Sequence, residues 1–87
     1  MIEIKKKSEH EFFVCVKEEK TETEHLIILD DDYYKKLTNG KISKEELIKR
    51  SFEFLLEKES KESILSKFDL KVIKNYFPEY EKKIRNI

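Results

Sequence analysis

Ser43 to Glu59 reads SKEELIKRSFEFLLEKE, and the rest of the chain is organised by what this segment must pack against. Ser43 is placed to accept a bond from a free backbone N–H, and Glu46, three residues on, to reach back to the Ser43 amide, which makes a capping box. Ile42 before the cap and Leu47 in the first turns are spaced as a hydrophobic staple. Glu45 and Glu46 sit at the positive end of the helix dipole. The spacing predicts a central helix over 44–58. At about 100° per residue, Phe54, Leu47, Ser51, Leu55, Ile48, Phe52 and Leu56 share one arc of roughly 200°, wider than the ~100° stripe of a surface helix. Lys49, Glu53, Glu57, Glu46 and Arg50 fill the remainder, with Glu46–Arg50 and Glu45–Lys49 at favourable i,i+4 spacing. So wide an arc calls for two packing partners, a sheet on one side and helices on the other, or else a second copy of the chain. Ser51, inside the arc, is expected to bond back to its own helix.

Eighty-seven residues make one small domain over 1–87, near the lower end of what a single core stabilises. Charged residues are 44 % of the chain but balanced, 19 basic against 19 acidic. That balance exerts no long-range pull toward nucleic acid or an anionic membrane. A single cysteine, Cys15, cannot form an internal disulfide. MIEIKKK lacks the apolar core of a signal peptide and no run approaches transmembrane length, so a reducing cytoplasm is the expected home.

Ile2 to Lys5 alternates apolar and polar as a half-buried strand does. Glu11 to Val16 is short, β-branched and aromatic, with Phe12, Val14 and Val16 on one face and Phe13 and Cys15 on the other. His25 to Leu29 forms a further strand. These lengths and short connections predict an antiparallel meander of two or three strands. The outer face, expected to carry Phe13, Cys15 and Ile27 or its register equivalents, is left partly apolar, which suits self-association. Asp30 can cap a short helix reaching Leu37, with Tyr33 and Leu37 buried and Asn39-Gly40 as a left-handed stop. Ser60 is placed to cap another short helix containing Ile64, Leu65 and Phe68. Asp69 restarts a turn bearing Leu70, Val72, Ile73, Tyr76 and Phe77, and Glu79 to Arg85 continues helically with Tyr80 and Ile84 inward. Strands first and helices after, three to five of them, make an α+β domain.

Little here carries chemistry. Asp30, Asp31 and Asp32 are better explained as a helix cap than as a cation site, which needs oxygens converging from several directions. Cys15 with His10 and His25 is the one set that resembles a nucleophile and base, without a third group to orient the histidine. With Gly40 the sole glycine there is no phosphate-binding loop. No enzyme, metal or cofactor is expected.

The run from His25 to Glu59, with Leu26, Ile28 and Leu29 on a strand, Tyr34 and Leu37 on a first helix and Ser43 to Ile48 opening a second, resembles ribbon-helix-helix DNA-binding subunits. That resemblance implies a dimer with strands paired across a two-fold and His25, Ile27 and Leu29 facing the major groove. Those side chains are the wrong type for base edges, which need donors and acceptors such as Arg, Lys, Asn or Gln. More broadly, SFEFLLEKE, KESIL, FDLKVI and NYFPEYE are similar to the pattern SFEFLLE…ESIL…FDL..I..YFPEYE of a small bacterial protein family. This similarity implies one compact domain reaching Ile84 and brings no activity with it. Tyr76, Phe77, Pro78 and Tyr80 concentrate aromatic surface near the C-terminus, a composition favoured at protein interfaces. The expectation is a non-enzymatic module, adaptor or regulatory, that binds protein, a second copy included. Phe13, Ile27, Tyr76, Phe77 and Tyr80 are its candidate contact residues, and a ribbon-helix-helix-like regulator or antitoxin is the alternative.

Overall fold

In the computed structural model, which describes residues 1–85, the N-terminal alternation becomes a three-stranded antiparallel meander of β1 (Ile2–Ser8), β2 (Glu11–Glu18) and β3 (Thr21–Ile28). Two-residue turns join them, and Glu19 takes up the second with φ of 54°. A fourth strand, β4 (Lys67–Asp69), lies parallel to β3, so the sheet order within the described residues is β1-β2-β3-β4. A parallel neighbour needs a long crossover. Here α1 (Asp31–Thr38), α2 (Lys44–Lys58) and a 3₁₀ turn (Lys61–Ser63) supply it. After β4 come a second 3₁₀ turn (Leu70–Val72), α3 (Ile73–Tyr76) and α4 (Tyr80–Arg85). The architecture is α+β, and no described helix is long and apolar enough to cross a membrane.

Register decides which face each residue serves. The turn after Glu18 pairs Phe12 with Ile27, Phe13 with Leu26, Val14 with His25 and Cys15 with Glu24. Even residues of β2 therefore share a face with odd residues of β3. Phe12, Val14, Val16 and Ile27 are all fully buried. Ile27, expected on the outer face, lies in the core instead, and its register equivalents Leu26 and Ile28 take its place beside Phe13 and Cys15. The strand pairing implied by the ribbon-helix-helix resemblance is likewise not adopted. Residues 26–28 have β2 on one side and β4 on the other, and His25, Ile27 and Leu29 are core residues.

Both principal helices start as their sequences dictate. Asp30 accepts from the Tyr33 amide at 2.7 Å, and Asn39 (φ 53°) with Gly40 (φ 74°) closes α1 in the left-handed region. Ser43 accepts from the Glu46 amide at 3.0 Å. The reciprocal half of the capping box is not made, because the Glu46 carboxylate turns to Arg50 Nε at 2.9 Å. The arc of α2 has the two partners that its width demands. Phe52 stacks between His25 of β3 and Phe68 of β4, with ring centroids at 5.2 and 6.2 Å. Phe54 meets Phe77 and Tyr80 on the opposite flank, at 5.8 and 5.4 Å. The helix expected after Ser60 is only the 3₁₀ turn: Ser60 makes no cap bond, and Phe68 reaches the core from a strand. Asp69 does cap the following turn, accepting from the Lys71 amide at 3.1 Å.

Candidate functional site: an apolar groove beside the sheet edge

Three elements that end near one another leave a groove between them. Leu55 and Glu59 come from the end of α2, Ser63, Ile64 and Leu65 from the 3₁₀ turn and its exit, and Phe68 from β4. Val72, Ile73, Tyr76 and Phe77 close the far wall. The groove encloses about 150 Å³ and its floor is hydrocarbon and aromatic ring. Glu59 and Ser63 are its polar members.

The wall that carries Leu65 is held firmly from behind. A carbonyl oxygen can only accept, so the 2.7 Å contact between His25 Nδ1 and Leu65 O is an N–H donation from the ring. For the neutral imidazole this leaves Nε2 as acceptor of the Thr23 hydroxyl, 2.9 Å away. The Leu26 amide donates to Ser66 O at 2.8 Å. With its backbone pinned on both sides, Leu65 projects outward and is 51 % exposed. Tyr76, which also lines the groove, is 66 % exposed. Two large apolar side chains thus stand in water around one opening, Leu65 on backbone held from behind, where burial against a partner would be favourable.

The expected contact residues separate clearly. Tyr76 and Phe77 come together, one on the rim and the other half-buried in the floor with its ring against Phe54. Tyr80 is fully buried, its hydroxyl 2.6 Å from Ser51 Oγ, and offers no surface. Its position two residues past Pro78 starts α4 with the ring turned to the core. Phe13 is the exposed large side chain of the outer sheet face, 41 % exposed beneath the Lys7 ammonium, with Leu26 and Ile28 beside it half-buried. Around it that face carries Glu3, Lys5, Lys17, Glu22 and Glu24, so the apolar outer surface is narrower than the strand patterns suggested. Leu65 is not distinguishable as a contact residue while the segment after Ser60 reads as a helix. The signal was the Ile64-Leu65 pair between serines: off a helix, successive side chains cannot both face inward.

The residues that resembled a nucleophile and base are kept apart. His25 points into the core and Cys15 away from it. The Cys15 thiol donates to Glu22 Oε2 at 3.2 Å, and that carboxylate pushes the thiol above its ordinary value, which disfavours the nucleophilic thiolate. His10 pairs instead with Asp31, 3.5 Å away. The acidic run diverges too: Asp30 caps α1 and meets Lys71, while Asp31 meets Lys44. The Asp30 carboxyl is held low first by the Tyr33 amide and then by Lys71, as a helix cap is.

Compared with protein-family models, with curated proteins and with solved structures, the chain matches none.

Proposed function

We propose that this chain is a non-enzymatic protein-binding module, adaptor or regulatory in role and cytoplasmic, which takes an apolar side chain of a partner into the groove between Leu65 and Tyr76. The observation that carries the reading is the pair of exposed apolar side chains, Leu65 on pinned backbone and Tyr76, around a groove of about 150 Å³. A cavity of that size lined by Leu, Ile and Phe has room for one benzene-sized ring. Interface hot spots are apolar or aromatic anchors of this kind, seated in a pocket with a polar rim. The zero net charge accords with a contact led by burial rather than by long-range attraction.

Selection from a displayed peptide library tests the reading. The wild-type chain should enrich peptides with a recurring aromatic or large aliphatic anchor. Leu65→Ser, which is exposed and leaves the core intact, should weaken the selected peptides by roughly tenfold. Failure to enrich any motif, or binding unchanged by Leu65→Ser, would remove the groove from the account.

A further inference from the structure

We infer that the side chain this groove accepts is Tyr76 of a second copy of the same chain, so that two copies dock reciprocally, ring into groove. The inference rests on the protein-binding reading and names the partner. It begins from the chemistry of the cavity. The floor, built from Leu55, Ile64, Phe68, Ile73 and Phe77, is apolar and sized for one six-membered ring. A plain hydrocarbon ring would leave the polar end of the groove unanswered. Glu59 belongs to that end, and its neighbouring cations are engaged elsewhere: Lys58 with Glu79 at 3.3 Å, and Lys61 with Glu62 at 2.8 Å. Glu59 is also the C-cap residue of α2, so its carboxylate stands at the negative end of that helix dipole. What fits is an aromatic ring with one hydrogen-bond donor at its tip. A tyrosine phenol is that group.

The chain presents such a phenol on the same surface. Among the described residues, Tyr76 is the most exposed large apolar side chain after Met1, and it stands on the rim of the groove. Knob and hole on one face are the requirement for an isologous pair, in which a single two-fold axis beside Tyr76 makes both contacts at once. Leu65, which lines the same groove and is exposed, is then covered by the second copy as well. The formal charge of zero means that no net repulsion opposes the approach of two copies. A patch this small gives a weak, transient dimer rather than an obligate one.

The test is sedimentation equilibrium from about 10 μM to about 1 mM on the wild type, on Tyr76→Ala, which removes the knob, and on Ser63→Phe, which fills the hole. Both altered positions are exposed, so both variants should fold, and circular dichroism confirms that they do. A parallel NMR titration with p-cresol asks whether the groove takes a phenol at all. The expected result is reversible dimerisation of the wild type, weakened roughly 30-fold or more by either variant. Shifts induced by p-cresol should fall at Ile64, Ile73 and Phe77 and vanish in Ser63→Phe. A dimer indifferent to both substitutions overturns the inference, because the copies then meet elsewhere. A monomer at about 1 mM whose groove binds p-cresol overturns the reciprocal docking and leaves the protein-binding groove standing. A monomer that ignores p-cresol removes both.

Discussion

Ser51 Oγ takes part in two hydrogen bonds and has one proton to give. That proton goes to Leu47 O, which can only accept, at 2.8 Å, so the Tyr80 hydroxyl must donate to Ser51 across 2.6 Å. A serine inside an apolar arc is thereby satisfied twice, by its own helix and by α4. The arrangement also makes Tyr80 a pH-sensitive residue. Full burial pushes its phenol above the ordinary value near 10. A folded state that holds a proton more tightly than the unfolded chain keeps its stability below the unfolded pKa and loses it above. The domain should therefore weaken above about pH 10, by up to about 1.4 kcal/mol per pH unit from this one group. Tyr33, also buried and raised by burial and by its bond to Glu81, continues the trend. Tyr80→Phe should cost only about 0.5–1.5 kcal/mol at neutral pH, since Ser51 keeps its bond to Leu47. The same variant should lose stability less steeply on the alkaline side. Urea midpoints of both proteins from about pH 7 to about pH 11 check this, and parallel alkaline limbs would refute the role of Tyr80.

At the scale of elements, two serines that look alike in sequence behave differently. Ser43 caps α2, whereas Ser60 caps nothing and bonds only toward Ser63, Oγ to Oγ at 3.2 Å. Ser43→Ala should cost on the order of 1 kcal/mol. Ser60→Ala should stay within about 0.5 kcal/mol of the wild type. Equal unfolding midpoints for the two variants would sink the cap at Ser43. The difference also marks what was legible beforehand. Helices α1 and α2 carry their starts, stops and faces in local residues, since a cap, a dipole and a 3.6-residue period need no knowledge of the rest of the chain. The region after Ser60 has no such period. Its three-residue strand Lys67–Asp69 exists only because β3 offers an edge, which no local pattern encodes. Register hid in the same way: alternation shows that β3 has two faces, but the turn decides which is inside, and so Ile27 and Leu26 exchanged roles. Of the groove, Tyr76 and Phe77 were recognisable by composition. Leu65 is hidden by the helix that the region after Ser60 suggests, and Tyr80 is legible as inward from its spacing with Ile84, while aromatic content alone, which does not distinguish rim from core, puts it among the contact residues.

For the molecule as a whole, Phe52 joins the layers. Its ring, wholly buried, touches His25 on β3 and Phe68 on β4, and so links α2 to the antiparallel meander and to the parallel edge strand together. His25 in turn holds the Leu65 carbonyl, and Phe68 forms part of the groove floor. The groove wall therefore depends on the core directly behind it, through two contacts that meet at one ring. A domain of this length has a total stability of roughly 4–13 kcal/mol at ordinary values per residue. Truncating a buried phenylalanine costs roughly 3–5 kcal/mol, so Phe52→Ala should remove a large part of it. The loss should be uneven. Strand β4 has three residues and one strand neighbour among the described residues, whereas β2 is paired along both sides. Amide exchange in Phe52→Ala should consequently rise first at Phe68 and at Leu26, whose N–H is bonded to Ser66, before it rises in β2. Urea unfolding gives the global cost and hydrogen exchange its distribution. A lowered midpoint with uniformly faster exchange would mean that the sheet opens as one unit and that the groove wall has no separate weakness. An unchanged midpoint would mean that this face of α2 is not core at all.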